Sequence, residues 1–253
     1  MPATTTSAIL LSAVRYGETS KVVRLATRDL GILSAIAKGA LRPRSRFGAS
    51  LQLLSSGVAH LIVREHRELQ LLTAFDLVRL RAPLAGDVDR WAAASALAEV
   101  MLRFGNPGPH PEGFDLLDGA LTLLEDAPAA ALDPLALRLL WRLVSVLGFA
   151  PSLEQCARDG NPVPSTGPLP FSTSDGGALC PSCAAAHAAT RLPEDARAGL
   201  EGLLDPAAPL PDLDAPHAAA HRRLLVRYVQ YHLAEGAELP AVRFWERAEW
   251  RAA

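Results

Sequence analysis

Residues 8–48 read AILLSAVRYGETSKVVRLATRDLGILSAIAKGALRPRSRFG. Short apolar runs in this stretch are separated by Gly17, Gly31 and Gly39, a pattern typical of β-strands joined by tight turns. The pattern continues to about residue 78, and residues 58–64 alternate as in a strand with one buried face. About five short strands in roughly seventy residues predict a small closed β-barrel of the OB type over residues 1–80, with another small barrel or a sandwich as the alternative.

The same stretch concentrates positive charge. Residues 1–81 contain 12 Lys/Arg and 5 Asp/Glu, a net charge of +7, whereas the whole chain has a formal charge of −2. The remaining residues, 82–253, therefore carry −9. A near-neutral protein with one strongly cationic end is typical of a local polyanion-binding surface.

From Asp87 onward the apolar residues recur with the period of helices. Asp87 is a candidate N-cap, and Asp133 with Pro134 is predicted to open a further helix that ends near Gly148. The helical pattern returns over residues 193–204 and 217–234. We therefore predict an α+β multidomain protein in which an N-terminal OB-fold barrel is followed by an α-helical domain, formed by residues 81–150 and 188–253.

Between these two helical parts lies an insert, residues 151–187, in which Gly, Pro, Ser and Cys dominate. The length of 253 residues permits such an arrangement. No run of about 18 apolar residues occurs, and the N-terminal segment lacks the basic region of a signal peptide. We therefore expect a cytoplasmic protein with no membrane partner.

The insert carries a candidate metal site. Cys156 and Asp159 have two residues between them, and Cys180 and Cys183 repeat this spacing. Two such turns form the knuckles of a zinc ribbon, because each brings two side chains to one side of the ion, and zinc accepts thiolate and carboxylate ligands. We predict a structural Zn site formed by these four residues. His187 is the alternative fourth ligand, and cysteines that bind no metal are the other interpretation.

Three segments of the sequence, in the order in which they occur, point to a known protein family. They are RYGETSKVVRLATRDLGILSAIAKGALRPRSRFGASLQ (residues 15–52), GGALCPSCA (residues 176–184, following Cys156) and HRRLLVRYVQYHL (residues 221–233). In this order the chain resembles the bacterial RecO family of DNA repair and recombination mediators over essentially its whole length. The family pattern has a second cysteine where this chain has Asp159.

The resemblance implies an N-terminal OB domain, a helical domain and a zinc-finger-like insert. It implies binding of single- and double-stranded DNA, annealing of complementary strands, and assistance in loading the recombinase RecA onto strands covered by single-strand-binding protein, within the RecF-type pathway. RecR is implied as a further partner, RecA as an indirect one, and the nucleoid as the place of action.

We predict that cations on the barrel strands and on one loop contact DNA. They are Arg15, Lys21, Arg24, Lys38, Arg42, Arg44 and Arg46. Such cations track phosphates, each replacing a condensed counterion, whereas a solvated charge-rich loop is the alternative. Tyr16 and Phe47 are candidates for base stacking, with packing into the core as the alternative.

A second cationic side is predicted on the helix over residues 217–234. Arg222, Arg223 and Arg227 lie close together in the sequence, and the last two are four residues apart and share a helix face. Pairing with acidic neighbours in the helical domain is the alternative.

Motifs of catalysis do not occur in the sequence. The chain has no GxxxxGK[ST] phosphate-binding loop, no GxSxG elbow and no HExxH arrangement beside the cysteines. We therefore predict no enzymatic activity. A zinc-dependent hydrolase acting on nucleic acid and a general RNA-binding OB protein are the alternative functions.

Overall fold

The computed structural model describes residues 3–64, 66–234 and 236–251. The chain divides into two compact units, of which the first ends at Asp126 and the second begins at Ala127. Within the described ranges, no helix has the length and apolar character that crossing a bilayer requires.

A closed five-stranded barrel forms the N-terminal part of the first unit, which confirms the predicted OB-type architecture. Its strands are β1 (Ala3–Tyr16), β2 (Ser20–Thr27), β3 (Gly31–Ala37), β4 (Ser56–Ile62) and β5 (Leu69–Arg79). Their order around the barrel is β1-β2-β3-β5-β4, and β3 with β5 is the parallel pair. The first half of β1 pairs with β4 and the second half with β2. The register irregularity between Leu10 and Ser12 allows the strand to bend from one partner to the other.

Alternate residues of each strand point inward and fill the interior of the barrel, most of them with small or branched side chains. They are Ala8, Leu10, Val23, Leu25, Ala35, Ala37, Ala59, Leu61, Leu72 and Phe75. Phe47 and Leu51, from the loop between β3 and β4, pack into the same core. This loop is therefore anchored to the barrel by its own apolar side chains.

Three helices complete the first unit: α1 (Ala82–Ala85), α2 (Val88–Phe104) and α3 (Pro111–Asp126). The Asp87 carboxylate caps α2, since it accepts a hydrogen bond from the backbone N–H of Arg90 at 3.0 Å. The last barrel strand ends at Arg79, next to the boundary predicted after residue 80. The three helices that follow belong to the same compact unit as the barrel.

Arg81 is a buried link between the barrel and α3. Its guanidinium donates to the Ser56 hydroxyl on β4 at 3.0 Å and to the carboxylates of Glu125 at 3.0 Å and Asp118 at 2.5 Å on α3. Because a buried cation is tolerated only when it is paired and hydrogen-bonded, these partners hold α3 against the barrel.

The second unit is mainly helical, with a small sheet. Its helices are α4 (Leu132–Val146), α5 (Pro181–Ala186), α6 (Glu194–Leu204), α7 (Ala215–His232) and α8 (Pro240–Arg247). Its strands are β6 (Leu169–Ser172), β7 (Gly177–Ala178) and β8 (Thr190–Leu192), in the order β7-β6-β8. Trp141 of α4 and Tyr228 of α7 are buried, with their ring centroids 5.2 Å apart. A barrel followed by helices with a small insert confirms the predicted fold class.

Asp133 does not cap α4, contrary to the sequence prediction. The helix begins at Leu132, and the cap residue Ala131 offers no side-chain hydrogen bond. Asp133 instead lies in the first turn, where its carboxylate accepts from Arg222 of α7 at 2.7 Å and from Arg251 at 2.7 Å. The neutralisation of a buried arginine therefore prevails over the local capping preference of aspartate.

Candidate functional site

One end of the barrel gathers cations from three neighbouring strands. Arg15 on β1 is the register partner of Lys21 on β2, and Lys21 is also the partner of Ala37, the last residue of β3. Lys38 follows Ala37 directly, and both Arg15 and Lys38 are exposed while Lys21 is half-buried. The pairing register therefore places Arg15 beside Lys21, and the chain brings Lys38 to the same edge of the barrel.

The loop after β3 brings three more cations to the same end. The backbone N–H of Leu41 donates to the carbonyl of Thr19 at 2.8 Å, which ties the loop to the turn between β1 and β2. All three arginines of segment 42–46 are exposed. We call the resulting set the barrel-end cluster. It comprises Arg15, Lys21, Lys38, Arg42, Arg44 and Arg46.

In the part of the chain that the structure describes, no ion pair neutralises the barrel-end cluster, since none of its six members pairs there with a carboxylate. Arg15 donates to the backbone carbonyl of Gly17 in its own turn, at 3.1 Å. Uncompensated cations from several strands and one loop create the positive potential that a polyanion requires.

Arg24, which was predicted to belong with these residues, lies elsewhere. It stands three residues from Lys21 on β2, and an odd spacing turns a strand side chain to the opposite face. Its guanidinium donates to the carbonyl of Leu102 on α2 at 3.3 Å. The next strand-end arginine, Arg28, pairs with Asp115 of α3 at 2.9 Å. The structure therefore separates Arg24 from the barrel-end cluster and directs it to α2.

The two candidates for base stacking differ in exposure. Tyr16, at the end of β1, is 58% exposed, whereas Phe47 is 2% exposed and belongs to the barrel core. The Arg46 guanidinium lies 5.6 Å from the centre of the Phe47 ring. Phe47 therefore supports the loop from inside and is not available to a base, while Tyr16 remains beside the cations.

The two predicted knuckles meet in the second unit. The ligand atoms of Cys156, Asp159, Cys180 and Cys183 all lie within 4.8 Å of one another. In each knuckle a backbone N–H four residues on donates to the carbonyl of the first cysteine, at 2.9 Å in both cases. We call these four residues the Cys3Asp cluster. Such a set is able to hold a metal ion.

Asp159, and not His187, joins the three cysteines. The thiols of Cys183 and Cys180 lie 3.2 Å and 3.5 Å from Oδ2 of Asp159, whereas His187 is exposed at the end of α5. The Cys156 thiol and the backbone N–H of Asn161 hold the pKa of Asp159 well below its usual range. The same Asp159 carboxylate accepts a hydrogen bond from the Cys183 thiol and so raises the pKa of Cys183 to about 12. A bound metal would take the place of the thiol protons in these contacts.

The cluster has supporting residues that the sequence analysis missed. The backbone N–H and the side-chain amide of Asn161 both donate to the Asp159 carboxylate, at 3.0 Å and 2.9 Å. The Ser182 hydroxyl lies 3.0 Å from Sγ of Cys180. Partners of this kind orient ligands toward a metal. The Asp-Gly-Asn order was the available signal, because aspartate in such a turn bonds to the backbone two residues on.

The predicted cationic side of α7 contains two arginines and not three. Arg222 is 5% exposed and pairs with Asp133 at 2.7 Å, whereas Arg223 and Arg227 are exposed. Consecutive helix residues point about 100° apart, so Arg222 faces the interior of the unit when Arg223 faces solvent. Tyr231, one turn beyond Arg227, is also exposed and was missed, although its spacing of four residues was visible.

A basic OB barrel, followed by a helical unit that carries a two-knuckle cysteine site, defines a class of multidomain OB-barrel proteins with a candidate metal-binding insert. Comparison with known families makes the assignment specific. Residues 1–81 match the family model described as Recombination protein O N terminal, and residues 85–238 match the one described as Recombination protein O C terminal.

Curated relatives agree over nearly the full chain. The DNA repair protein RecO of Anaeromyxobacter dehalogenans is 37% identical over 243 residues, which cover 93% of each protein. The RecO proteins of a Nocardioides species and of Rubrobacter xylanophilus are 33% and 32% identical, covering 95% and 89% of this chain and 98% and 88% of the relatives. The chain therefore belongs to the RecO family, which places it among the proteins of DNA repair and recombination.

Proposed function

We propose that this protein is a recombination mediator of the RecF-type pathway. It binds single- and double-stranded DNA, anneals complementary strands and assists the loading of RecA onto strands covered by single-strand-binding protein, with RecR as a partner. It acts in the cytoplasm, at the nucleoid, and it is not an enzyme. The observation that carries the proposal is the barrel-end cluster, a set of six cations on an OB barrel that have no carboxylate partner among the residues the structure describes.

The chemistry of the barrel-end cluster suits binding without sequence preference. Its lysines and arginines offer contacts to phosphates, which fix position but carry no sequence information. Each phosphate contact releases a condensed counterion, so affinity comes from charge and depends on salt. A mediator that acts on any strand needs this kind of surface.

Annealing requires that two strands approach each other despite their like charge. Cations that neutralise phosphates on either strand lower this repulsion, and base pairing then proceeds without an energy source. This is consistent with the lack of a nucleotide-binding loop in the sequence. A second strand needs a second surface, and the exposed Arg223 and Arg227 of α7 are the candidates that we propose for it.

We also propose that the Cys3Asp cluster holds a structural Zn²⁺. Three thiolates and one carboxylate are ligands that zinc accepts, and they approach from two matching turns. Catalytic zinc sites use three protein ligands and leave one position open, whereas this set supplies four. The ligand count thus favours a structural role over the hydrolase alternative. When bound, the ion would stabilise the insert by tying its two knuckles together.

The decisive experiment measures annealing of two complementary oligonucleotides in the absence of nucleotide and of divalent metal. We expect the unmodified chain to accelerate annealing, and the combined variant Arg42→Ala, Arg44→Ala and Arg46→Ala to lose most of the effect. Arg28→Ala is the matched control, because Arg28 is a barrel arginine already paired with Asp115. If the strands anneal no faster with the unmodified chain than without protein, the proposal is wrong.

Two further assays test the finer parts of the proposal. Competition between DNA and RNA strands of one sequence addresses the RNA-binding alternative, which a clear preference for RNA would favour. RecA loading onto strands covered by single-strand-binding protein, with and without RecR, tests the partners. We expect the chain and RecR together to shorten the lag of loading, and an unchanged lag would contradict this part.

A further inference from the structure

We infer that one exposed ridge of α7 binds single-stranded nucleic acid, with Tyr231 stacking on a base while Arg223 and Arg227 contact phosphates. These three residues, at a spacing of four, define the α7 ridge. The inference rests on the proposed function, in which the two arginines form a second DNA surface. It adds the residue that distinguishes single strands from duplexes.

The charge of α7 differs from that of the sequence around it. The helix contains three arginines and no Asp or Glu, although residues 82–253 carry a net charge of −9. In the part of the chain that the structure describes, neither Arg223 nor Arg227 pairs with a carboxylate, and the Nε of Arg227 donates to the backbone carbonyl of Arg223 at 3.3 Å. Two such cations, about 6 Å apart along the helix axis, suit an anion with repeating charges such as a phosphate chain.

Tyr231 continues the ridge by one further turn. Its side chain is 58% exposed, whereas Tyr228 in the preceding turn is buried. An exposed ring four residues from Arg227 lies next to it on the helix surface. Cations beside an aromatic ring are the combination that binds single strands without sequence preference, because every base has a π-face that can stack.

The ring of Tyr231 packs against one ordered neighbour, the ring of His232. It meets the His232 ring edge to face, with the centroids 5.1 Å apart. His232 is itself fixed, since its Nε2 lies 2.6 Å from the carbonyl of Thr173 and its ring centroid lies 4.4 Å from that of Tyr228. A ring that is already positioned loses less conformational freedom when a base stacks on it, which favours binding.

The two parts of the ridge act on different features of a nucleic acid. Phosphates are exposed in single strands and in duplexes, so the arginines contact both. The base faces of a duplex are already stacked on one another and are not available to Tyr231. Tyr231 therefore contributes to the binding of single strands only, and this difference is the property to measure.

The test uses the full chain with Arg42, Arg44 and Arg46 changed to Ala, so that the barrel-end cluster contributes less to binding. The probes are a single-stranded oligonucleotide containing 2-aminopurine and a blunt duplex of the same sequence. We expect Tyr231→Leu to weaken single-strand binding about 5- to 100-fold and to change duplex binding less than about twofold. Tyr231→Phe should retain single-strand binding and the fluorescence change of stacked 2-aminopurine. The pair Arg223→Gln and Arg227→Gln should weaken binding of both probes.

Two further variants keep the test decisive. Phe244→Leu is the matched control, because Phe244 is an exposed aromatic residue of α8 that packs on Trp250, and it should change neither affinity. Tyr231→Gln repeats the test without adding an apolar side chain. Unchanged single-strand affinity in both Tyr231 variants, as expected if the ridge contacts a protein instead, would overturn the inference. An equal loss for single strands and duplexes would also overturn it.

The proposed function is tested separately by the triple barrel variant with Tyr231 intact. If that variant anneals normally while Tyr231→Leu loses single-strand binding, the barrel-end cluster is not the main DNA surface and the ridge inference stands. If the triple variant loses annealing and the Tyr231 variants bind normally, only the ridge inference fails.

Discussion

The Oδ2 atom of Asp159 lies 3.2 Å from the Sγ atom of Cys183, so a carboxylate occupies the fourth position of a site whose other three positions are cysteines. A carboxylate is a harder ligand than a thiolate and is less favoured by zinc-like metals. If the Cys3Asp cluster holds Zn²⁺ as proposed, its affinity for the ion should therefore depend on the residue at position 159.

Asp159→Cys should tighten Zn²⁺ binding, because a fourth thiolate replaces the carboxylate. The measurement is competition with a chromophoric chelator at fixed pH, together with the thiolate-to-metal absorption of the Co²⁺ form. His187→Ala is the control and should leave the affinity unchanged. If His187→Ala weakens binding and Asp159→Ala does not, the ligand assignment must be exchanged.

Asn161→Ala should weaken metal binding about 10- to 100-fold without removing a ligand, since Asn161 donates twice to the Asp159 carboxylate and the side-chain donor is lost. The same chelator competition measures the change. Arg158→Ala, in the same turn but paired with Asp175, is the control. Equal affinities of the two variants would show that Asn161 does not orient the ligand.

The barrel-end cluster makes a quantitative prediction about salt. Each phosphate contact on a single strand contributes a slope of about −0.7 to the plot of log affinity against log salt. Replacing Arg42, Arg44 and Arg46 by Ala should therefore flatten the slope by about 2. Fluorescence anisotropy at four or five salt concentrations suffices, with Arg28→Ala as the control. An unchanged slope would remove this loop from the binding surface.

Asp133→Asn should destabilise the protein by about 3 kcal/mol at pH 7, because it leaves the buried Arg222 without its counter-ion. Burial opposes ionisation of Asp133, but the bonds from Arg251 and Arg222 outweigh it and lower its pKa. A lowered pKa means that the stabilisation is complete above the unfolded value of about 3.9 and is lost as pH falls through the folded value. Urea unfolding at pH 7 and below pH 4 should show the difference from the unmodified chain shrinking in acid.

The matched control for this prediction is Asp115→Asn, which removes an exposed pair with Arg28. Its effect at pH 7 should be much smaller, since exposed ion pairs contribute little. Equal losses for the two variants would contradict the assignment of Asp133 as the counter-ion of the buried Arg222.

Gly31→Ala should cost about 2–4 kcal/mol, whereas Gly17→Ala should cost about 1 kcal/mol. Both glycines have positive φ, 70° and 60°, but a Cβ at Gly31 would lie 2.2 Å from the carbonyl oxygen of Gly108, and a Cβ at Gly17 meets open space. The difference between the variants isolates the steric part, and chemical unfolding measures it. Equal costs would mean that the loop before α3 moves away freely.

The strands and the knuckles were predictable because their signals are local. Alternation marks the inward residues of each strand, and the spacing of Cys180 and Cys183 defines a turn. The sequence indicated that a small barrel forms but not which strands close it. The closing pair, β1 with β4, joins residues far apart in the sequence. Likewise, nothing near Arg222 indicates that its partner is Asp133, 89 residues earlier.

The separation of Arg24 from Lys21 shows a second limit. Strand parity alone places the two side chains on opposite faces, but which face is open depends on where α2 packs. The helical repeat likewise points Arg222 and Arg223 in different directions, yet only the packing of the unit decides which of them is buried. Residue type and spacing therefore identified the candidates, and tertiary contacts decided which remain available.

The closure of the barrel has a consequence for biosynthesis. Every strand pairing of the barrel joins residues between Ala3 and Arg79, whereas the last ligand of the Cys3Asp cluster is Cys183. A ribosome therefore delivers all barrel strands on the order of ten seconds before the four residues of the Cys3Asp cluster are complete. If the cluster holds Zn²⁺ as proposed, scarcity of metal during translation would affect the second unit of the nascent chain and leave the strand pairing of the first unit untouched.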